Sequence, residues 1–177
     1  MTSSSHDEPR SMNAESIPPS VFLDNASTVP CDDAVLVELA CFTLQRLSLH
    51  PQDELSIRIV DEQEMAELHL TWMQEPGPTD VLSFPMDELR PMTRSDDRNP
   101  GMLGDIVLCP AFALRQARAE GKAEQDLPGI LQMLLVHGVL HLVGHDHATE
   151  QEYAQMFSLQ DALLGAWRHA HPAVETR

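Results

Sequence analysis

Cysteine is scarce. Cys31, Cys41 and Cys109 are the three in 177 residues, an odd number with no CxxC pair. That pattern argues against a disulfide framework, reads as three small buried hydrophobes, and favours a reducing compartment. Basic residues are few as well: 11 Lys and Arg stand against 28 Asp and Glu, a formal charge of −17. Such a chain is no polybasic binder of nucleic acid or membrane through its average field. Long apolar runs are missing too. The most apolar window, Ile130 to Val143, holds Gln132, His137 and His141 and is too short to span a bilayer. Met1 to Ser16 is polar, carries Asp7, Glu8 and Arg10, and lacks the apolar stretch of a signal peptide. The expected location is the cytoplasm. The eight glycines and thirteen prolines show no collagen-like period.

What is present suits one globular domain. Hydrophobic residues make up 42%, enough for a core at this length. Residues 1–18 read as a disordered tail, 19–168 as the domain and 169–177 as a C-terminal tail. Val21 to Leu23 is a candidate edge strand. Asp32 to Leu47 has the spacing of a capped helix. Glu54 to Val60 alternates, with Leu55, Ile57 and Ile59 on one face, and predicts a half-buried strand. Asp61 with Glu64 looks like a capping box opening a helix to Trp72. Val81 to Met86 predicts an edge strand, because Pro85 cannot donate to a ladder on both sides. A polar loop from Glu88 to Gly101 follows, then a strand from Leu103 to Cys109 and a helix from Pro110 to Glu120, ended by Gly121. Pro128 opens a helix to Val143 that is apolar all round and therefore central. Thr149 and Glu152 form a second capping pattern, opening a last helix to Trp167. The expected class is α+β: one domain with a small mixed sheet packed with helices.

The chemistry concentrates in His137-Gly-Val-Leu-His141-Leu-Val-Gly144-His145-Asp146-His147. Residues four apart share a helix face, so His137 and His141 project together from the central helix. Gly144 can take the left-handed conformation that ends a helix, which lets His147 turn back as a third ligand. Three imidazoles with an open fourth position is the arrangement of a catalytic zinc site. The ion would lower the pKa of its water and so generate a nucleophile or base near neutrality. The alternative is a pair of structural histidines before a polar turn, but two adjacent imidazoles on an apolar helix are poorly satisfied without a shared ligand. His145 competes with His147 for the third position, and Gly144 argues against it. Asp146 suits either a histidine-orienting role or a turn. The spacing is that of H-E-x-x-H-x-x-G-x-x-H, with Gly138 where the peptidase pattern has its general-base glutamate.

Together with Pro78-Thr-Asp-Val-Leu-Ser-Phe84 and Leu103-Gly-Asp-Ile106, this string resembles the YbeY family of endoribonucleases over residues 20 to 168. The resemblance implies a zincin-like fold and one zinc ion held by His137, His141 and His147. It implies a bacterial enzyme that matures ribosomal RNA, notably the 16S 3′ end, and serves ribosome quality control. The implied partners are ribosomal RNA and the ribosome or its associated proteins, with no role for DNA or membrane. The expected reaction is hydrolysis of a phosphodiester in single-stranded RNA by zinc-activated water, with no general base nameable from sequence. Two residues depart from the family: His145 stands where tyrosine is frequent, and Met73 where an arginine is frequent. Arg58, Arg90, Arg94 and Arg98 are candidate replacements for that cation. Asp80, Ser83 and Asp105 are candidate substrate contacts; Asp105 could also orient a ligand histidine, and all three have plain structural readings. Trp72, Phe84, Tyr153 and Trp167 could stack on bases, although their spacing favours core packing for most. The charge of −17 opposes RNA, so weak intrinsic affinity and a localising partner are expected. Two other functions compete. One is a metallopeptidase-like hydrolase, weakened by Gly138. The other is a ribosome-assembly binding factor with structural zinc.

Overall fold

The structure is a computed structural model and describes residues 20–89 and 98–172. The expected tail at residues 1–18 and the arginines Arg90 and Arg94 lie outside the described residues. In chain order the elements are β1 (Ser20–Asn25), α1 (Asp33–Arg46), β2 (Glu54–Ile59), α2 (Glu62–Met73), β3 (Val81–Pro85), β4 (Met102–Leu108) and α3 (Pro110–Ala119). A 3-10 turn (Glu124–Asp126), α4 (Leu127–Leu142) and α5 (Glu150–Ala170) complete them.

The four strands lie in the order β1-β2-β4-β3, so the sheet is mixed. β1, β2 and β4 run parallel, and β3 pairs antiparallel with β4. Pro85 therefore sits on an edge strand, where its missing N–H has no second neighbour to disappoint. Leu55, Ile57 and Ile59 of β2 point to one face and are buried with Ile106 and Leu108 of β4. α1 and α4 cover that face, and α4 also meets α3 and α5. Nine residues of α4 are buried, from Leu127 round to Leu142, as its all-round apolarity requires. The opposite sheet face carries Ser56, Arg58 and Asp105 and is covered near β3 by α2, through Met65 and Leu68.

Two local expectations change. Asp61 stands at the N-cap of α2 but makes no capping bond. Its carboxylate instead accepts from the Thr28 N–H at 3.0 Å and from the Thr28 and Ser27 hydroxyls, which hold its pKa below the usual value. Glu64 pairs with Arg58 at 2.7 Å. A loop from elsewhere in the chain has outcompeted the local cap. The last helix also continues past residue 168 to Ala170, with Trp167 buried against the core. Its Thr149–Glu152 capping box forms as expected.

Among the described residues, Asp53 is the fully buried carboxylate. It accepts from Arg98 Nη1 at 2.9 Å and from Nη2, and from the Gly101 and His50 N–H groups at 3.0 Å. Burial opposes its charge, but these donors outweigh burial and depress the pKa. Arg98 is thus engaged in the fold rather than facing a ligand. Removing one partner of a buried pair strands the other, so Asp53→Ala is expected to cost about 3 kcal/mol. A carboxyl with a depressed folded pKa stabilises above its unfolded value and loses that contribution as pH falls through the folded one. Urea unfolding from neutral to acid pH should accordingly show a shallower acid slope in Asp53→Asn than in the parent. Equal slopes would assign the acid sensitivity to other groups.

Candidate metal centre

α4 delivers His137 and His141 from adjacent turns of one face. Their Nε2 atoms lie 3.0 Å apart and their ring centroids 4.6 Å. The helix then stops in a Schellman turn: Gly144 adopts φ +96°, its N–H bonds the His141 carbonyl, and the His145 N–H bonds the Leu140 carbonyl at 3.0 Å. The reversal returns His147, whose ring centroid lies 5.6 Å from that of His137 and 5.1 Å from that of His141. One nitrogen from each of the three rings falls within 4.8 Å of the others. The geometry brings together the three rings that the spacing argument singled out, and they could hold a metal ion. His145 contributes its backbone instead, its carbonyl accepting from His141 Nδ1 at 3.0 Å.

The hydrogen bonds decide what the trio can hold. A carbonyl oxygen only accepts, so His141 must carry its proton on Nδ1. His137 Nδ1 likewise donates to Gln160 Oε1 at 2.9 Å. Both Nε2 atoms are then bare lone pairs facing each other at hydrogen-bond distance. Two such lone pairs repel unless a cation lies between them, and orienting each imidazole through its far nitrogen is how proteins build metal ligands. Burial pushes the pKa values of His137 and His141 down, and the neighbouring His137 adds to the effect at His141. The neutral, ligand-competent forms are favoured. The donor set therefore fits a borderline-soft divalent ion such as zinc.

The trio opens on a cavity of about 600 Å³ whose opposite wall is formed by Met73, Asp80, Ser83 and Pro85. The Asp80 carboxylate accepts from the Val81 N–H at 2.8 Å and lies close enough to His137 for its charge to be felt there. The Ser83 hydroxyl donates to the Gly138 carbonyl at 3.3 Å, tying β3 to α4. A Cβ at Gly138 would lie 3.1 Å from Ser83 Oγ and 3.2 Å from Ile106. Position 138 thus packs tightly against the sheet, and a side chain there would have to displace Ser83 or Ile106. Asp105 is not with the others. Paired with Ser56 and Phe84, it lines a groove on the opposite sheet face, so it orients neither His137 nor His141. The aromatic residues divide as well. Trp167 is core, whereas Trp72 is 65% and Tyr153 53% exposed. Tyr153 stacks on Phe157, whose ring adjoins His137 and His147.

Gln160 was missed in the sequence, although its signal is there. It is a polar residue, 3% exposed, within the buried α5 stripe of Met156, Leu163, Leu164 and Trp167. A buried carboxamide in such a stripe needs a partner, and here the partner is a candidate ligand.

Comparison with known proteins places the chain in a family. The family model described as Endoribonuclease YbeY matches residues 28–168. A protein of Thermobifida fusca named Endoribonuclease YbeY is 51% identical over 151 residues, covering 85% of this chain and 96% of its own length. Its namesake in Acidothermus cellulolyticus is 54% identical over 152 residues, covering 84% and 91%. The solution structure of a Thermotoga maritima protein shares the fold, with a TM-score of 0.51 at 21% identity over 90% of this chain and 99% of that one. Motif, length and fold converge, and this chain belongs to the Endoribonuclease YbeY family.

Proposed function

We propose that the protein is a zinc-dependent, single-strand-specific endoribonuclease of the cytoplasm. Its proposed task is 16S ribosomal RNA 3′-end maturation and ribosome quality control, in company with the ribosome or its associated proteins. The observation that carries the metal reading is the pair of facing Nε2 lone pairs on His137 and His141, with His147 alongside. His137, His141 and His147 would hold the ion. Bound zinc supplies Lewis-acid polarisation of a phosphodiester and of water. Gln160 and the His145 carbonyl keep both Nδ1 protons in place, so the ligand lone pairs stay aimed inward. Asp80 presents a carboxylate at the cavity wall as a candidate contact to a ribose hydroxyl or an attacking water. Ser83 serves mainly by fixing β3 to α4, and a substrate contact by Asp105 would need a strand reaching the far face of the sheet. The open cavity beside three imidazoles favours a catalytic over a structural ion, since structural zinc sites are closed by four protein ligands. A peptidase reading loses support because Gly138 stands where that pattern has its general-base glutamate, with Ser83 and Ile106 packed close against it.

The test uses the full chain. Metal analysis of the purified protein should find zinc near one equivalent. Single-stranded RNA should be cut in preference to duplex, and a chelator should stop cutting until zinc is restored. Cutting that survives metal removal, or RNA left intact by the zinc-loaded protein, would overturn the reading.

A further inference from the structure

The groove that Asp105 lines runs beside the metal cavity rather than apart from it. It measures about 670 Å³, and Met73, Ser83 and Pro85 line both spaces. The two hollows therefore meet across edge strand β3. Trp72 stands in the groove at the end of α2, 65% exposed, and its ring meets Phe84 edge-to-face at 6.0 Å. Met73 and Met86 beside it are 44% and 58% exposed. The turn that follows Trp72 and Met73 is hydrogen-bonded: Gln74 closes α2 in the left-handed conformation, and His69 Nδ1 bonds the Gly77 carbonyl at 2.8 Å. An exposed indole with two exposed methionines beside it in one groove is a contiguous apolar patch of the kind that marks a binding site.

We infer that Trp72 is a nucleobase platform, on which an unpaired base flanking the scissile phosphate stacks after the strand crosses β3. This rests on the reading that the metal cavity cleaves RNA. The charges of the groove favour stacking over phosphate capture. Arg58 is its cation and is engaged by Glu64 at 2.7 Å, while Asp105 lines the same space. With a net charge of −17, little affinity can come from the field of the protein. Base–indole stacking needs no charge and accepts any base. Paired bases hide their faces inside the helix, so the platform selects single strands by itself.

The chain has two tryptophans, and Trp167 is 5% exposed in the core. Fluorescence quenching therefore reports on Trp72. Titrating the full-length protein with a non-cleavable 2′-O-methyl single strand should quench it, and the equivalent duplex should not. In the zinc-loaded protein, Trp72→Ala should raise KM for single-stranded RNA about tenfold by loss of one stacked base, with kcat and zinc content unchanged. Trp72→Phe should recover most of the loss. Phe22→Ala is the control: Phe22 is 60% exposed on β1, at the other end of the sheet, and lines neither hollow. Cleavage by the parent with an unquenched Trp72 and an unaltered KM in Trp72→Ala overturns the platform and leaves the nuclease standing. The same result accompanied by loss of ribosomal-subunit binding assigns the groove to docking on the subunit rather than to the bases of the substrate, and overturns it equally. An RNA left uncut by the zinc-loaded parent strikes the proposed function itself, and quenching still judges Trp72.

Discussion

Replacing His141 with alanine should leave a folded protein that neither holds zinc nor cuts RNA. The ring is half-buried, and its removal takes away one of the two facing lone pairs and the bond to the His145 carbonyl. The Schellman turn survives, because it is built from backbone groups of Leu140, His141, Gly144 and His145. Two imidazoles then remain for an ion that needs three. Loss of the several kcal/mol that a metal contributes to a hydrolytic transition state lowers the rate by about a thousandfold or more. Circular dichroism, metal analysis and a single-turnover cleavage assay decide the matter together. Wild-type cleavage by a folded His141→Ala protein would mean that the trio is not the reacting centre. Acid should mimic the substitution. His137 and His141 have pKa values lowered by burial, so both stay neutral at neutral pH and take up protons only as pH falls below the ordinary imidazole value of about 6.5. Proton uptake competes with the ion, and zinc content should fall in that acid range and not before it.

Gly104→Ala is expected to damage the fold severely. Gly104 sits in β4 at φ +144°, and a Cβ built there would lie 2.2 Å from the Phe84 carbonyl oxygen. That oxygen is backbone of the neighbouring strand, in a register that pairs Gly104 with Pro85, so no side chain can swing aside. A bulge between Glu54 and Leu55 disturbs the pairing with β2 at the same level. β3 must move or β4 must change its dihedrals, and either is worth about 3 kcal/mol or more. For a chain of this size that is a fall of roughly 10 °C in Tm. Because Ser83 ties β3 to Gly138, the wall of the metal cavity should shift with the strand, and cleavage should fall even below the melting range. A variant that melts with the parent would show that the close approach is relaxed at little cost.

Much of the site was legible because its logic is local. An i, i+4 pair, a glycine at the turn and a third histidine three residues later are settled by helix geometry and by one left-handed residue. The same holds for the alternation of β2, the capping box at Thr149 and the edge position announced by Pro85. What escaped depends on partners distant in the chain. Asp61 looks like a cap until Thr28 arrives to claim it. Asp105 looks like a companion of the histidines until the pleat of β4 turns it to the other face. Arg98 looks like a loop cation until Asp53 engages it. Gln160 went unremarked, Trp72 stood beside Phe84, Tyr153 and Trp167 as one of four aromatic candidates, and burial singles both out: one is polar where the core should be dry, the other aromatic where the surface should be wet.

The bond from His137 to Gln160 spans 23 residues and reaches the C-terminal helix. It sets an order of events in the making of the protein. The histidines emerge from synthesis before α5 does, yet His137 has its proton steered to Nδ1 only once that helix has docked. Until α5 docks, His137 lacks the acceptor that steers its proton, and this candidate ligand exists as a mixture of both tautomers.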